Sequence, residues 1–144
     1  MSALVKKANI TSIIPQRAPF VLIDELLERT DDTTTSSFLV ESHHLMVERG
    51  HLCAEGLIEN IAQTAAAGVG HEYQYIKKST APIGYIGAVS KLELFGTPPV
   101  GTRIKTNVTV TNNIMNVTII SGSVFLNNEL LVKCEMKIFL NESN

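Results

Sequence analysis

Hydrophobic spacing along the chain changes character twice. In the first third, IIPQRAPFVLIDELLERT carries prolines at 15 and 19 that exclude a continuous helix, and FVLIDELLE reads as a short apolar strand. A turn-rich DDTTT follows, then SSFLVES (36–42), which predicts a second strand, and HHLMVERGHLCAE, which reads as a loop. From Gly56 to about Ile76 the period lengthens. Leu57, Ile58, Ile61, Ala62, Ala65, Ala66 and Val69 recur at helical spacings and predict one long helix with a broad apolar face. Beyond Pro82 the pattern becomes that of antiparallel strands: IGYIGAVSKLELF, TRIKTNVTVTN, NVTIISGSVFLN and ELLVKCEMKIFL. Alternation is clear in RIKTNVTV and VKCEMKIF, as for a half-buried sheet, and GTPPVG, NNIM and NN supply the breaks.

One long helix among these strands predicts an α+β fold, a curved antiparallel sheet wrapped round a central helix, built as one domain over residues 1–144. Ala65, Ala66, Ala67, Gly68 and Gly70 let another element approach the helix backbone closely, although each glycine costs about 1 kcal/mol of helix stability. One small sheet covers such a helix incompletely and leaves edge strands free. A homodimer joined edge to edge, or an oligomer of such dimers, is therefore expected.

Composition narrows the function. The chain has 144 residues, is 44% hydrophobic and 18% charged, and carries a formal net charge of −2. Without a basic stripe, the counterion release that drives nucleic-acid binding has no source. The N-terminus lacks the pattern of a secretory signal, and no apolar run approaches the ~20 residues of a membrane span, so a cytoplasmic protein without a membrane span is expected. Cys53 and Cys134 are read as thiols, and the spacing of His43, His44, His51 and Cys53 fits no common zinc pattern. Glu55 reads as a solvated charge at the helix start, and His71 as a cation complementing the dipole at the helix end.

Three ordered segments carry more. IPQRAPFVLIDELLE, GHLCAEGLIENIAQTAA and YIGAVSKLELFGTPPVGTRI together resemble the 3-hydroxyacyl-acyl carrier protein dehydratases of the hotdog fold, over nearly the whole chain. In that family a P-H-R-x-P-F segment precedes the first strands, G-H-F-P-G carries a catalytic histidine, and E-A-M-A-Q-A-A-G on the central helix carries a catalytic carboxylate. The resemblance implies that His51 and Glu59 are catalytic and matches Gln63 and Gly87 to positions at the substrate, while the unpaired N–H groups at the helix start make Gly56 a further substrate-binding candidate. It also implies that His51 of one subunit faces Glu59 of the other, that acyl carrier protein is the partner, and that neither metal nor cofactor is needed. Two departures stand out: only seven residues separate His51 from Glu59, fewer than in the family, and Gln16 replaces the usual histidine.

The residue types suit the reaction. Removing water from a 3-hydroxyacyl thioester needs a base at the carbon beside the carbonyl, a donor for the departing hydroxyl and stabilisation of an enolate-like oxygen. Histidine serves as a base at neutral pH. Glu59 serves as the acid or orients the hydroxyl, and backbone near Gly56 or Gly87 binds the carbonyl oxygen. Taken without the resemblance, Glu59 reads as a favourable charge capping the first helical turn and His51 as an ordinary loop residue. Two other functions stay open: a thioesterase in which Glu59 activates water, and a non-catalytic acyl-binding or partner subunit, which the short loop favours.

Overall fold

The computed structural model describes residues 2–141. A 3-10 turn at Lys7–Ser12 opens the chain, followed by β1 (Glu25–Arg29), β2 (Thr33–Leu39), a hairpin of β3 (Val47–Glu48) and β4 (His51–Leu52), and helix α1 (Ala54–His71). The helix runs on as a π-helical segment, Glu72–Lys77, before β5 (Ile83–Leu94), β6 (Arg103–Ile114), β7 (Val117–Leu126) and β8 (Glu129–Asn141). The six long strands form one antiparallel sheet in the order β1-β2-β6-β7-β8-β5. This is the sheet and central helix that the hydrophobic spacing predicts.

Alternation decides which side of the sheet faces the helix. On β6, Ile104, Thr106 and Val108 are buried while Arg103, Lys105 and Asn107 face water; on β8, Cys134, Met136 and Ile138 point inward. These meet Leu57 and Ile61 of α1 in the main core. The helix comes close because β7 offers Gly122, where a Cβ would strike Ile61 Cγ2. A smaller cluster of Val5, Ile10, Ile13, Ile14, Ile23, Leu26 and Ala67 seals the N-terminal segment against the far end of α1.

Three details depart from the sequence pattern. Strand β1 begins only at Glu25: upstream of it, Phe20 O and both main-chain groups of Leu22 are bonded by side chains of α1. The expected loop at 43–55 contains the β3–β4 hairpin, closed by Arg49 and Gly50, both at positive φ (52° and 78°), the pair of left-handed residues that a tight two-residue turn requires. The helix begins at Ala54, two residues before Gly56, with Cys53 as N-cap and no side-chain cap hydrogen bond.

The helical face also divides. Leu57 and Ile61 are buried with the polar Asn60, Gln63 and Thr64, whereas Ile58, Ala62, Ala65, Ala66 and Val69 remain half-buried. β5, at the sheet edge, is exposed along all 12 residues, with Ile83, Tyr85, Ile86, Val89, Leu92 and Leu94 open to solvent. No helix among the described residues is long and apolar enough to cross a membrane.

Candidate functional site

Between the half-buried face of α1 and the β5 end of the sheet runs a groove of about 1330 Å³. Its floor is Ala62, Ala65, Ala66 and Val69, its opposite wall Ile120, Ile138 and Leu140, and its rim Ile83–Ile86 of β5. Small side chains on one helical face are what leave this space unfilled. Glu59, sixth residue of α1, stands at one end of it, half-buried. Among the described residues no hydrogen-bond or ion-pair partner meets its carboxylate. A carboxylate set against an apolar wall without an internal partner is available to a ligand, since partly desolvated charge ordinarily finds a counterpart.

His51 lies elsewhere in the same chain. Its side chain is exposed on β4, with Nδ1 a long 3.4 Å from the Arg49 carbonyl oxygen. The hairpin below it is firmly held: Leu52 N–H donates to Pro98 O at 3.0 Å, Val100 N–H to Gly50 O at 2.8 Å and Cys53 N–H to Met46 O at 2.9 Å, while Leu52 is fully buried. His51 does not line the groove that holds Glu59. A single chain therefore does not bring the two together.

The other expected site residues have demanding surroundings of their own. Gly56 is buried where α1 leaves the hairpin, and a Cβ there would lie 2.8 Å from Leu52 Cδ1 and 3.2 Å from Met46 Cβ. Gly87 sits at a bulge in β5, opposite β8, and a Cβ there would collide with the Phe139 ring. Gln63 is fully buried, its Oε1 accepting from Leu22 N–H at 2.7 Å and its Nε2 donating to Phe20 O at 2.9 Å. Of these positions only Glu59 lines the groove. Arg17, also on its wall, directs Nη1 to the carbonyls of Ile14 and Gln16, both at 2.8 Å.

Two polar residues escape a reading of sequence. Asn60 is fully buried one residue after Glu59: its Nδ2 donates to Leu22 O at 2.8 Å, its Oδ1 accepts from Thr106 Oγ1, and its carbonyl accepts from Thr64 Oγ1, which also contacts Ser36 Oγ at 2.6 Å. His44 joins Val21 O to Met46 N–H through its two ring nitrogens. The available signal for Asn60 was its polarity on an otherwise apolar helix face; for His44 there was none beyond its presence in the loop. His71, expected as a cation, has the opposite tendency. Burial first, and the Arg29 guanidinium second, press its pKa below the ordinary histidine value, and its buried Nδ1 has no hydrogen-bond partner among the described residues. The helix end is instead tied by Arg29, whose Nε donates to Gly68 O at 2.9 Å and whose Nη2 is 3.1 Å from Glu72 Oε1.

Among the described residues no group of three or more His, Cys, Asp or Glu side chains is arranged to hold a metal ion.

Solved structures share this architecture. The dehydratase heterocomplex ApeI:P from Xenorhabdus doucetiae contains a chain that superposes with a TM-score of 0.85 at 15% identity, covering 93% of this chain and 91% of that one. An uncharacterized protein from Pyrococcus horikoshii superposes with a TM-score of 0.70 at 9% identity, covering 100% and 98%. A hypothetical thioesterase from Streptococcus pneumoniae, solved with coenzyme A, gives 0.65 at 10% identity, covering 83% and 87%. At these identities the likeness establishes the hotdog fold and nothing finer. No curated protein sequence matches the chain. The family model described as ApeP dehydratase matches residues 8–143, nearly the whole length, and the chain thus belongs to the ApeP-like dehydratase family.

Proposed function

We propose that the protein dehydrates a 3-hydroxyacyl thioester carried on acyl carrier protein to the trans-2-enoyl thioester. The observation that carries this reading is the Glu59 carboxylate, half-buried and without a partner among the described residues, at the end of a groove floored by alanines. The groove suits an acyl chain lying along α1 with its reacting carbons beside Glu59. A base removes the proton from the carbon next to the thioester carbonyl, the hydroxyl on the following carbon departs as water with a proton from Glu59, and the carbon–carbon double bond forms. Gly87 and Gly56 remain the candidates for binding the carbonyl oxygen through backbone N–H groups, whereas the Gln63 amide is taken up by Phe20 and Leu22.

His51 is the proposed base, delivered by a second subunit. Support for a second subunit comes from β5, the edge strand next to β8, which exposes six large apolar side chains, an unstable surface in water unless covered. Edge-to-edge joining along β5 would close the groove and set a neighbouring hairpin against Glu59. A second copy of this chain is the simplest such neighbour. The chain of the Xenorhabdus protein that this one resembles belongs to a heterocomplex, which favours a second reading in which a different hotdog subunit supplies the base.

The test is product analysis with purified protein and a 3-hydroxyacyl carrier. Loss of one water with the thioester intact supports the proposal, whereas a released thiol indicates a thioesterase. Glu59→Gln and His51→Ala should each lower turnover by about 10²–10⁴-fold, the usual worth of a positioned acid or base. Loss on Glu59→Gln alone shows that the base is not His51 and assigns it to a different hotdog subunit. If neither substitution alters turnover, the catalytic assignment is wrong.

A further inference from the structure

The main chain at Phe20–Leu22 is gripped from two sides. From α1, Gln63 accepts from Leu22 N–H and donates to Phe20 O, and Asn60 donates to Leu22 O. From the other side, the carbonyl of the residue between, Val21, lies 2.9 Å from His44 Nε2. His44 Nδ1 accepts from Met46 N–H at 3.1 Å, so the ring proton sits on Nε2 and points at Val21. The Phe38 ring packs edge-on against the imidazole with centroids 5.6 Å apart.

Met46 passes the connection onward. Its carbonyl accepts from Cys53 N–H, its Cβ is among the atoms hemming Gly56, and the next residues pair as Val47 with Leu52 and Glu48 with His51. A continuous hydrogen-bonded path thus runs from the helical turn after Glu59, through an extended segment remote in sequence, to the hairpin bearing His51. Gln63 and Asn60 are both fully buried. Buried amides satisfied only by one main-chain arrangement select that arrangement over others, which an apolar contact of the same area does not do.

We propose that His44 and Gln63 are positioning residues for the dehydration, clamping Phe20–Leu22 between them so that the hairpin with His51 and the helix with Glu59 form one rigid body. The proposal rests on the reading above that these two residues react. If His51 and Glu59 meet across two subunits, the angle between hairpin and helix within each chain sets the approach in both sites at once. A misplacement of about 1 Å is enough to cost on the order of a hundredfold in rate.

The experiment uses the full-length protein with three substitutions. Gln63→Met keeps side-chain length and removes both hydrogen bonds; His44→Asn keeps an acceptor near Met46 N–H but is too short for Val21; His44→Gln keeps a donor that reaches Val21. Steady-state kinetics on the 3-hydroxyacyl carrier should show kcat lowered on the order of tenfold to a hundredfold in Gln63→Met and His44→Asn. KM should be nearly unchanged, and most of the rate should return in His44→Gln. Amide hydrogen exchange should be faster at Met46 and Cys53 in Gln63→Met, although neither residue touches position 63.

Wild-type kcat in His44→Asn, a rise in KM alone, or unchanged exchange at Met46 and Cys53 in Gln63→Met would each overturn the proposal. Should Gln63→Met fail to fold, the contrast between His44→Asn and His44→Gln decides it. If the wild-type protein forms no enoyl product, the functional reading fails by itself, and the exchange measurement still determines whether helix and hairpin are coupled.

Discussion

Replacing Gly70 by alanine sets two effects of known size against each other. Gly70 is the last residue but one of α1, and on helix propensity alone alanine gains about 1 kcal/mol, less near the end of the helix. The position is buried, however, and a Cβ built there would fall on the Ile13 carbonyl oxygen, with the carbonyl carbon at 2.6 Å and Ile13 Cα at 2.9 Å. These are backbone atoms, so no rotamer change relieves the overlap. Forced insertion of a methyl into a filled space typically costs 1–3 kcal/mol. Relief by displacing the N-terminal segment would expose Ile13 and Ile14, each 4% exposed, at roughly 1.5–3 kcal/mol per side chain fully uncovered. Overlap wins, and a net destabilisation of about 2 kcal/mol is expected. With a urea dependence of about 2 kcal/mol per molar, the unfolding midpoint falls by roughly 1 M at fixed protein concentration. Gly68→Ala is the internal comparison: its Cβ would meet the Thr34 hydroxyl, a side-chain group that can turn away, so its loss should be smaller. A midpoint for Gly70→Ala at or above that of the wild type, or one above that of Gly68→Ala, would refute the reasoning.

Two further outcomes follow from the titratable groups that partial or full burial shifts. Because the folded pKa of His71 is lowered, the unfolded chain binds more protons in the window between that pKa and the ordinary value of 6.5. Stability should therefore fall as pH drops through that window, and His71→Gln should flatten this acid limb in urea titrations at successive pH values; an unchanged limb would show that His71 does not set it. Burial raises the pKa of Cys134, on the inward face of β8, whereas Cys53 is half-buried at the start of α1. A thiol reagent at neutral pH should accordingly modify Cys53 in the folded protein and reach Cys134 only on unfolding. Mass mapping of the labelled peptides checks the order, and rapid native labelling of Cys134 contradicts it.

Local pattern determined much of this molecule. Alternation in RIKTNVTV and VKCEMKIF specifies β6 and β8 and their inward faces, and the helical spacing from Leu57 onward specifies α1, because both periods are properties of neighbouring residues on one element. The place of Glu59 on that helix was legible for the same reason. The partners of these elements were not legible. Spacing shows that Ile58, Ala62, Ala65, Ala66 and Val69 share an apolar face, but only the sheet order, which leaves β5 at the edge, turns that face into a groove. Likewise Asn60 and Gln63 look misplaced among core positions until the chain from Phe20 to Leu22, separated from Gln63 by 41 residues at Leu22, arrives to receive their hydrogen bonds. The distance between His51 and Glu59 belongs to the same class. Their separation in sequence is short, but hairpin and helix point them to different surfaces, since side-chain direction depends on how elements pack and not on how many residues lie between them.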